Sequence, residues 1–140
     1  DLNGAHVLDL FAGTGIVSLE FLSRGAASVT AVERAPKACR YASAQAAQLG
    51  SDDLHTVCAD VWGFLAKPLT QFDLVFADPP YRKELGEAAL ASARAGGWLA
   101  PGALLVLEED ARAEIAVPEG LELLDRRSVG DSQVVFLRAV

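Results

Sequence analysis

The segment "FDLVFADPPY", residues 72–81, places a carboxylate, two prolines and an aromatic ring directly after a short apolar run. Those residue types in that order suit one kind of chemistry. The exocyclic amine of a nucleobase or an amide is a poor nucleophile because its lone pair is delocalised. Two acceptors aimed at its two hydrogens draw the nitrogen toward a pyramidal shape and free that pair. Asp78 offers one acceptor with its side chain, and the Pro79 carbonyl offers the second. Proline fixes φ near −65° and holds the preceding residue extended, so Pro79 and Pro80 set those oxygens before a substrate arrives. Tyr81 supplies a flat face on which an extracted base can stack.

A second group of residues surrounds "DLFAGTG". Gly13 and Gly15 allow a sharp turn and a close backbone approach to a ligand. Glu33 ends the next apolar run, "SVTAVE", where an acid can accept both hydroxyls of a ribose. A dinucleotide fingerprint G-x-G-x-x-G fits in neither register. With Gly13 as the second glycine the first position is Phe11, and with Gly13 as the first the third is Ser18. Asp9 adds a carboxylate beside the turn, which would repel a pyrophosphate but not a cationic sulfonium ligand. This stretch therefore favours S-adenosylmethionine over NAD. In "CADVW", Asp60 can accept an adenine amine while Val61 and Trp62 cover the ring. Asp60 also suits the N-cap of a helix starting at Val61, and both roles can hold together.

These groups need elements to bring them together. "AHVLDLF", "SVTAVE", "LHTVCAD", "FDLVFAD" and "GALLVLEE" read as strands. Helical spacing follows the first, with Ile16, Leu19 and Leu22 on one face. Pro36 opens a second helix that Gly50 stops, and "KELGEAALASARAGG" is a third. "LELLDRRSVGDSQVVFLRA" is two strands around a Gly-Asp turn, a terminal antiparallel hairpin. Repeated strand–helix units imply an α/β, doubly wound, Rossmann-like fold with a mostly parallel seven-stranded sheet ending in that hairpin. In such a sheet the loops after the strands, "FAGTG", "VER", "CADVW" and "ADPPY", line one crevice.

Composition sets bounds. The 140 residues suit a single domain over 1–140. A formal charge of −7 argues against holding nucleic acid by a broadly basic surface, though not against a local basic patch. No apolar run approaches a membrane span, and the opening "DLNGAHVLDLF", with no basic n-region, leads to the expectation of no signal peptide. Cys39 and Cys58 read as two reduced, buried thiols of a cytoplasmic protein rather than a disulfide or metal pair. His6 and His55 fall at strand starts and read as structural. Trp98 reads as a packing anchor. Arg82 and Lys83 could touch phosphate or simply be solvated, and Arg126 and Arg127 are expected to be exposed.

"DLFAGTG", "VE" and "DPPY", in this order, resemble a class I S-adenosylmethionine-dependent methyltransferase with an amino-group target. "LDLFAGTGIVSLEFLSRGA", "FDLVFADPPY" and "GGWL" together resemble the RsmD family, which methylates guanine N2 in 16S ribosomal RNA. The resemblance covers nearly the whole chain. "DPPY" alone is shared with adenine-N6 DNA enzymes and, as "NPPY", with protein glutamine methyltransferases. The resemblance implies cofactor contacts at Asp9, Phe11, Ala12, Gly13, Gly15, Glu33, Arg34, Asp60 and Val61. It implies amine handling at Asp78, Pro79, Pro80 and Tyr81. It also implies a monomeric, cytoplasmic enzyme acting on 16S rRNA, within a small-subunit particle, without metal or membrane. The family usually carries a basic N-terminal extension with an Arg-Pro-Thr stretch before the first strand; here the expectation is either a truncated fragment or a chain without that segment. The competing expectations are methylation of DNA adenine or protein glutamine, a catalytically inactive cofactor-binding module, and an NAD-dependent oxidoreductase.

Overall fold

A computed structural model describes residues 2–66, 71–79 and 85–140. The elements in chain order are β1 (His6–Leu10), α1 (Ile16–Ser23), β2 (Ser28–Glu33), α2 (Pro36–Gln48), β3 (Leu54–Cys58) and α3 (Val61–Leu65). β4 (Phe72–Ala77), α4 (Leu85–Ala95), β5 (Leu99–Asp110), β6 (Leu121–Val129) and β7 (Ser132–Ala139) follow. The strands form one seven-stranded sheet in the order β3-β2-β1-β4-β5-β7-β6. The first five strands pair in parallel, and β7 and β6 add antiparallel. This is the expected doubly wound α/β fold with its terminal hairpin.

Burial on both faces explains why the central strands are nearly all apolar. Leu8, Leu10, Val75, Ala77, Leu105 and Leu107 face α3 and α4, packing with Val61, Leu65, Ala89, Leu90 and Ala93. Val7, Val29, Leu74, Phe76 and Val106 face the other way, against Phe21 and Leu22 of α1. Trp98 is fully buried, donates Nε1–H to the Leu65 carbonyl at 3.0 Å, and stacks on Phe64 with ring centres 4.7 Å apart. It is the packing anchor expected from sequence.

Two details depart from the sequence reading. β5 begins at Leu99 rather than at Gly102. Its pairing with β4 jumps from Phe72↔Leu99 to Leu74↔Leu104, so Pro101 and Gly102 (φ +73°) sit in an irregularity within the strand. Cys58 is exposed, not buried. It ends β3, an edge strand of the sheet, where less structure is available to cover it.

The strand order reverses between β1 and β4, the parallel neighbours whose ends are level at Leu10↔Ala77. The connections from these two strands leave in opposite directions and open a crevice at their carboxyl ends. Phe11 and Asp78, the next residue of each chain segment, stand at its lip.

Candidate active site

A cavity of about 740 Å³ opens at this switch point. Phe11 comes from the loop after β1, and Glu33 and Arg34 from the end of β2. Asp60, Val61 and Trp62 come from the β3–α3 junction, and Asp78 and Pro79 from the end of β4. Val32, Ala59 and Leu85 complete the described lining. Four separate strand ends thus meet at one opening, as the expected crevice required.

The turn after β1 is shaped by backbone conformation. Phe11 has φ +60°, a left-handed value that costs a non-glycine residue energy and clusters at ligand sites. Gly15 has φ +84° and precedes α1. A Cβ there would lie 3.0 Å from the Ala42 Cβ, so glycine both permits the turn and lets α2 approach α1. Gly13 donates its N–H to Glu33 Oε1 at 2.9 Å, and Ala35 donates to Oε2 at 2.9 Å. The Glu33 carboxylate is therefore held at both oxygens while it lines the cavity.

Asp9 lies beneath the turn rather than in the lining. Strand alternation turns it toward α1, where Ser18 Oγ–H donates to Oδ2 at 2.6 Å, and only 1% of the residue is exposed. Burial, opposed by the Ser18 bond and reinforced by the charges of Asp78 and Glu33, pushes its carboxyl up to about 7. Ala12, Gly13 and Gly15 likewise shape the loop from outside the lining. Of the thirteen expected site residues, Phe11, Glu33, Arg34, Asp60, Val61, Asp78 and Pro79 border the cavity. Pro80 and Tyr81 lie outside the described residues, as do Arg82 and Lys83.

Asp60 occupies the N-cap position of α3 but makes no side-chain capping bond, which leaves its carboxylate for the cavity. Asp78 is half-buried. Burial first, then the charges of Glu108 and Glu109 at the end of neighbouring β5, push its carboxyl up to about 6. His6 bonds Ser28 at the opposite end of the sheet, in keeping with a structural role. Arg126 and Arg127 are exposed, and Arg127 pairs with Asp125 at 2.9 Å.

Sequence reasoning passed over Gly86. A Cβ there would clash with the Leu107 side chain and lie 3.2 Å from Pro79 Cγ, so this glycine lets α4 begin against the loop that carries Asp78. The available signal was a glycine inside a helix-forming run. Sequence reasoning also gave no role to Glu108 and Glu109, which act on Asp78 through parallel strand pairing.

The profile described as "Conserved hypothetical protein 95" matches residues 1–138, which include every residue of the cavity. The chain belongs to the RsmD family of methyltransferases. It is 36% identical over 106 residues to Ribosomal RNA small subunit methyltransferase D of Escherichia coli K12, a match covering 76% of this chain and 54% of that protein. It is 31% identical over 133 residues to the protein of the same name from Haemophilus influenzae, covering 92% of this chain and 69% of that protein. The chain thus spans about half the length of the Escherichia coli relative. A solved conserved hypothetical protein from Streptococcus pyogenes superposes with a TM-score of 0.91 at 28% identity, covering 99% of this chain and 88% of that one. Among the described residues no helix is long and apolar enough to cross a membrane. No group of three or more His, Cys, Asp or Glu among them could hold a metal ion.

Proposed function

We propose that this chain binds S-adenosylmethionine in the cavity at the β1/β4 switch point and transfers its methyl group to the exocyclic N2 amine of a guanine in 16S ribosomal RNA. The observation that carries the reading is that Asp78 and Pro79 share one cavity with Glu33 and Asp60. Acceptors suited to an amine thus stand beside acceptors suited to an adenosine.

The residues present fit the cofactor. A volume of about 740 Å³ lies in the range of small-molecule sites, about 300–1,000 Å³. Glu33 is already oriented by two N–H donors and retains lone pairs for the ribose hydroxyls. Asp60, free of a capping bond, would accept the adenine amine, and Val61 and Trp62 in the same lining would cover the ring. The acids in and beneath the lining suit a cation. When bound, S-adenosylmethionine supplies an electrophilic methyl group on a positively charged sulfur.

Asp78 and the Pro79 carbonyl hold the two amine hydrogens and point the nitrogen lone pair into the cavity. Positioning of this kind is worth about 7–11 kcal/mol of barrier. Asp78, as the half-buried acid of the site, then passes the released proton toward solvent. Pro80 and Tyr81, next in the sequence, are assigned to amine handling with Asp78 and Pro79, the Tyr81 ring offering a face for the base. The names of the relatives support an rRNA substrate, and membership in the family supports methyl transfer. The same reading takes the chain as one domain, acting as a cytoplasmic monomer on a small-subunit particle.

The experiment that tests this reading is transfer of labelled methyl from S-adenosylmethionine to small ribosomal subunits, naked 16S rRNA, duplex DNA and a glutamine-bearing peptide. Label in ribosomal RNA supports it. Label in DNA or peptide alone overturns it, as does cofactor binding with no transfer.

A further inference from the structure

Two thiols meet at the edge of the cavity. Cys39, in α2, is buried and donates its Sγ–H to the Glu33 carbonyl at 3.0 Å. Cys58, at the end of β3, is exposed, and its Sγ lies 3.9 Å from the Arg34 carbonyl. Glu33 and Cys58 are register partners in adjacent strands. Both sulfurs are thus fastened to residues 33 and 34, whose side chains line the cavity. Both thiols are free, and Cys58 is near enough to bear on the Cys39 thiol. Burial, then the contact with Cys58, pushes the Cys39 thiol up to about 11. One thiol is open to solvent and the other is buried at the adjacent carbonyl, so an oxidised Cys58 has a second thiol close by to resolve it. Neither takes part in the proposed methyl transfer.

We infer that Cys39 and Cys58 form a modification site, a thiol pair that closes to an intramolecular disulfide under peroxide and ties α2 to β3 beside the cavity. The Cys58 thiolate attacks a peroxide oxygen. The O–O bond breaks, hydroxide leaves, and Cys58 becomes a sulfenic acid. The Cys39 thiol then attacks that sulfur, the S–S bond forms, the S–O bond breaks, and the departing hydroxide takes the Cys39 proton and leaves as water. Two thiols are oxidised and one hydrogen peroxide is reduced to two waters. A dithiol reductant reverses the change.

The bond removes both S–H donors from the carbonyls of residues 33 and 34. The Glu33 carbonyl keeps the Ala59 N–H at 3.0 Å, but the segment that presents Glu33 and Arg34 moves with the joined sulfurs. Oxidation therefore weakens ligand binding in the cavity, a consequence that rests on the proposed cofactor reading.

The test treats the reduced full chain with hydrogen peroxide, then applies alkylation, intact mass and peptide mapping. The expected product is a monomer lighter by about 2 Da, with no alkylatable thiol and a Cys39–Cys58 linked peptide that dithiothreitol undoes. Cys39→Ser keeps a hydroxyl donor for the Glu33 carbonyl and is expected to accumulate a dimedone-reactive Cys58. Thiols that remain alkylatable, over-oxidised Cys58 without a cross-link, or the same mass loss in Cys39→Ser would each overturn the site. Calorimetry with S-adenosylhomocysteine is expected to show affinity at least about fivefold weaker in the oxidised chain, restored by dithiothreitol. A cross-link with unchanged affinity overturns the coupling to the cavity. Failure of the reduced chain to bind S-adenosylhomocysteine counts against the proposed function, while the mass result still decides the thiol pair.

Discussion

The Gly13 N–H donates to Glu33 Oε1 at 2.9 Å, tying the turn after β1 to the acid that ends β2. With the Ala35 N–H on Oε2, the carboxylate is set in place without a ligand. Such preorganisation lowers the cost of ordering on binding. Glu33→Ala is expected to weaken S-adenosylhomocysteine binding by about 10- to 100-fold, the loss of a hydrogen bond to a charged group worth about 1.5–3 kcal/mol. Calorimetry measures it. An unchanged Kd would remove Glu33 from the cofactor site.

Asp9 should leave a signature in stability. Its folded pKa of about 7 lies above the ordinary 3.8, so between those values the native state binds more protons than the unfolded chain. Stability from this group is full below the lower value and is lost as pH rises through the upper one. Each unit of separation corresponds to about 1.4 kcal/mol. Urea denaturation from pH 4 to pH 8 is expected to show a fall in stability that Asp9→Asn reduces by at least about 1 kcal/mol. Parallel profiles for the two proteins would show that Asp9 does not titrate in this range.

Asp78 predicts a pH limb in turnover. As an acceptor for the amine it works ionised, so activity should rise with pH through about 6 and then level off. Burial is the largest cause of the raised value and Glu108 the next. Glu108→Gln removes that neighbouring charge and should shift the limb to lower pH. A limb that stays in place in this variant would contradict the electrostatic link between β4 and β5.

Gly86 should tolerate no side chain. Its place against Leu107 and Pro79 leaves no room for a methyl group, and Leu107 is fully buried, so its side chain must shift within the packed core. Gly86→Ala is expected to cost about 1–3 kcal/mol in urea denaturation, as overpacking does. Wild-type stability would mean that α4 slides outward freely.

Much of this arrangement was legible in the chain itself. The strand runs, the helix stops at glycine and the Gly-Asp hairpin follow from local propensity and periodicity, so the fold emerged from the sequence. So did the meeting of Phe11, Glu33, Asp60 and Asp78 at one cavity, because parallel crossovers bring strand ends to one edge. What stayed hidden depends on side-chain direction and neighbours distant in sequence. Strand alternation turns Asp9 away from the cavity toward Ser18. The edge position of β3 exposes Cys58. Glu108 and Glu109 bear on Asp78 only because β5 pairs with β4, and no spacing along the chain announces that.

The most direct test of the central claim is identification of the methylated nucleoside. Small ribosomal subunits lacking the modification are incubated with the chain and S-adenosylmethionine, and the 16S rRNA is digested for mass spectrometry. The expected result is N2-methylguanosine, with Asp78→Asn slowing its formation by about 10²–10⁴-fold while cofactor affinity stays within a few-fold. A methylated adenosine in its place, or N2-methylguanosine formed equally fast by Asp78→Asn, would contradict the assignment of Asp78 as the acceptor for a guanine amine.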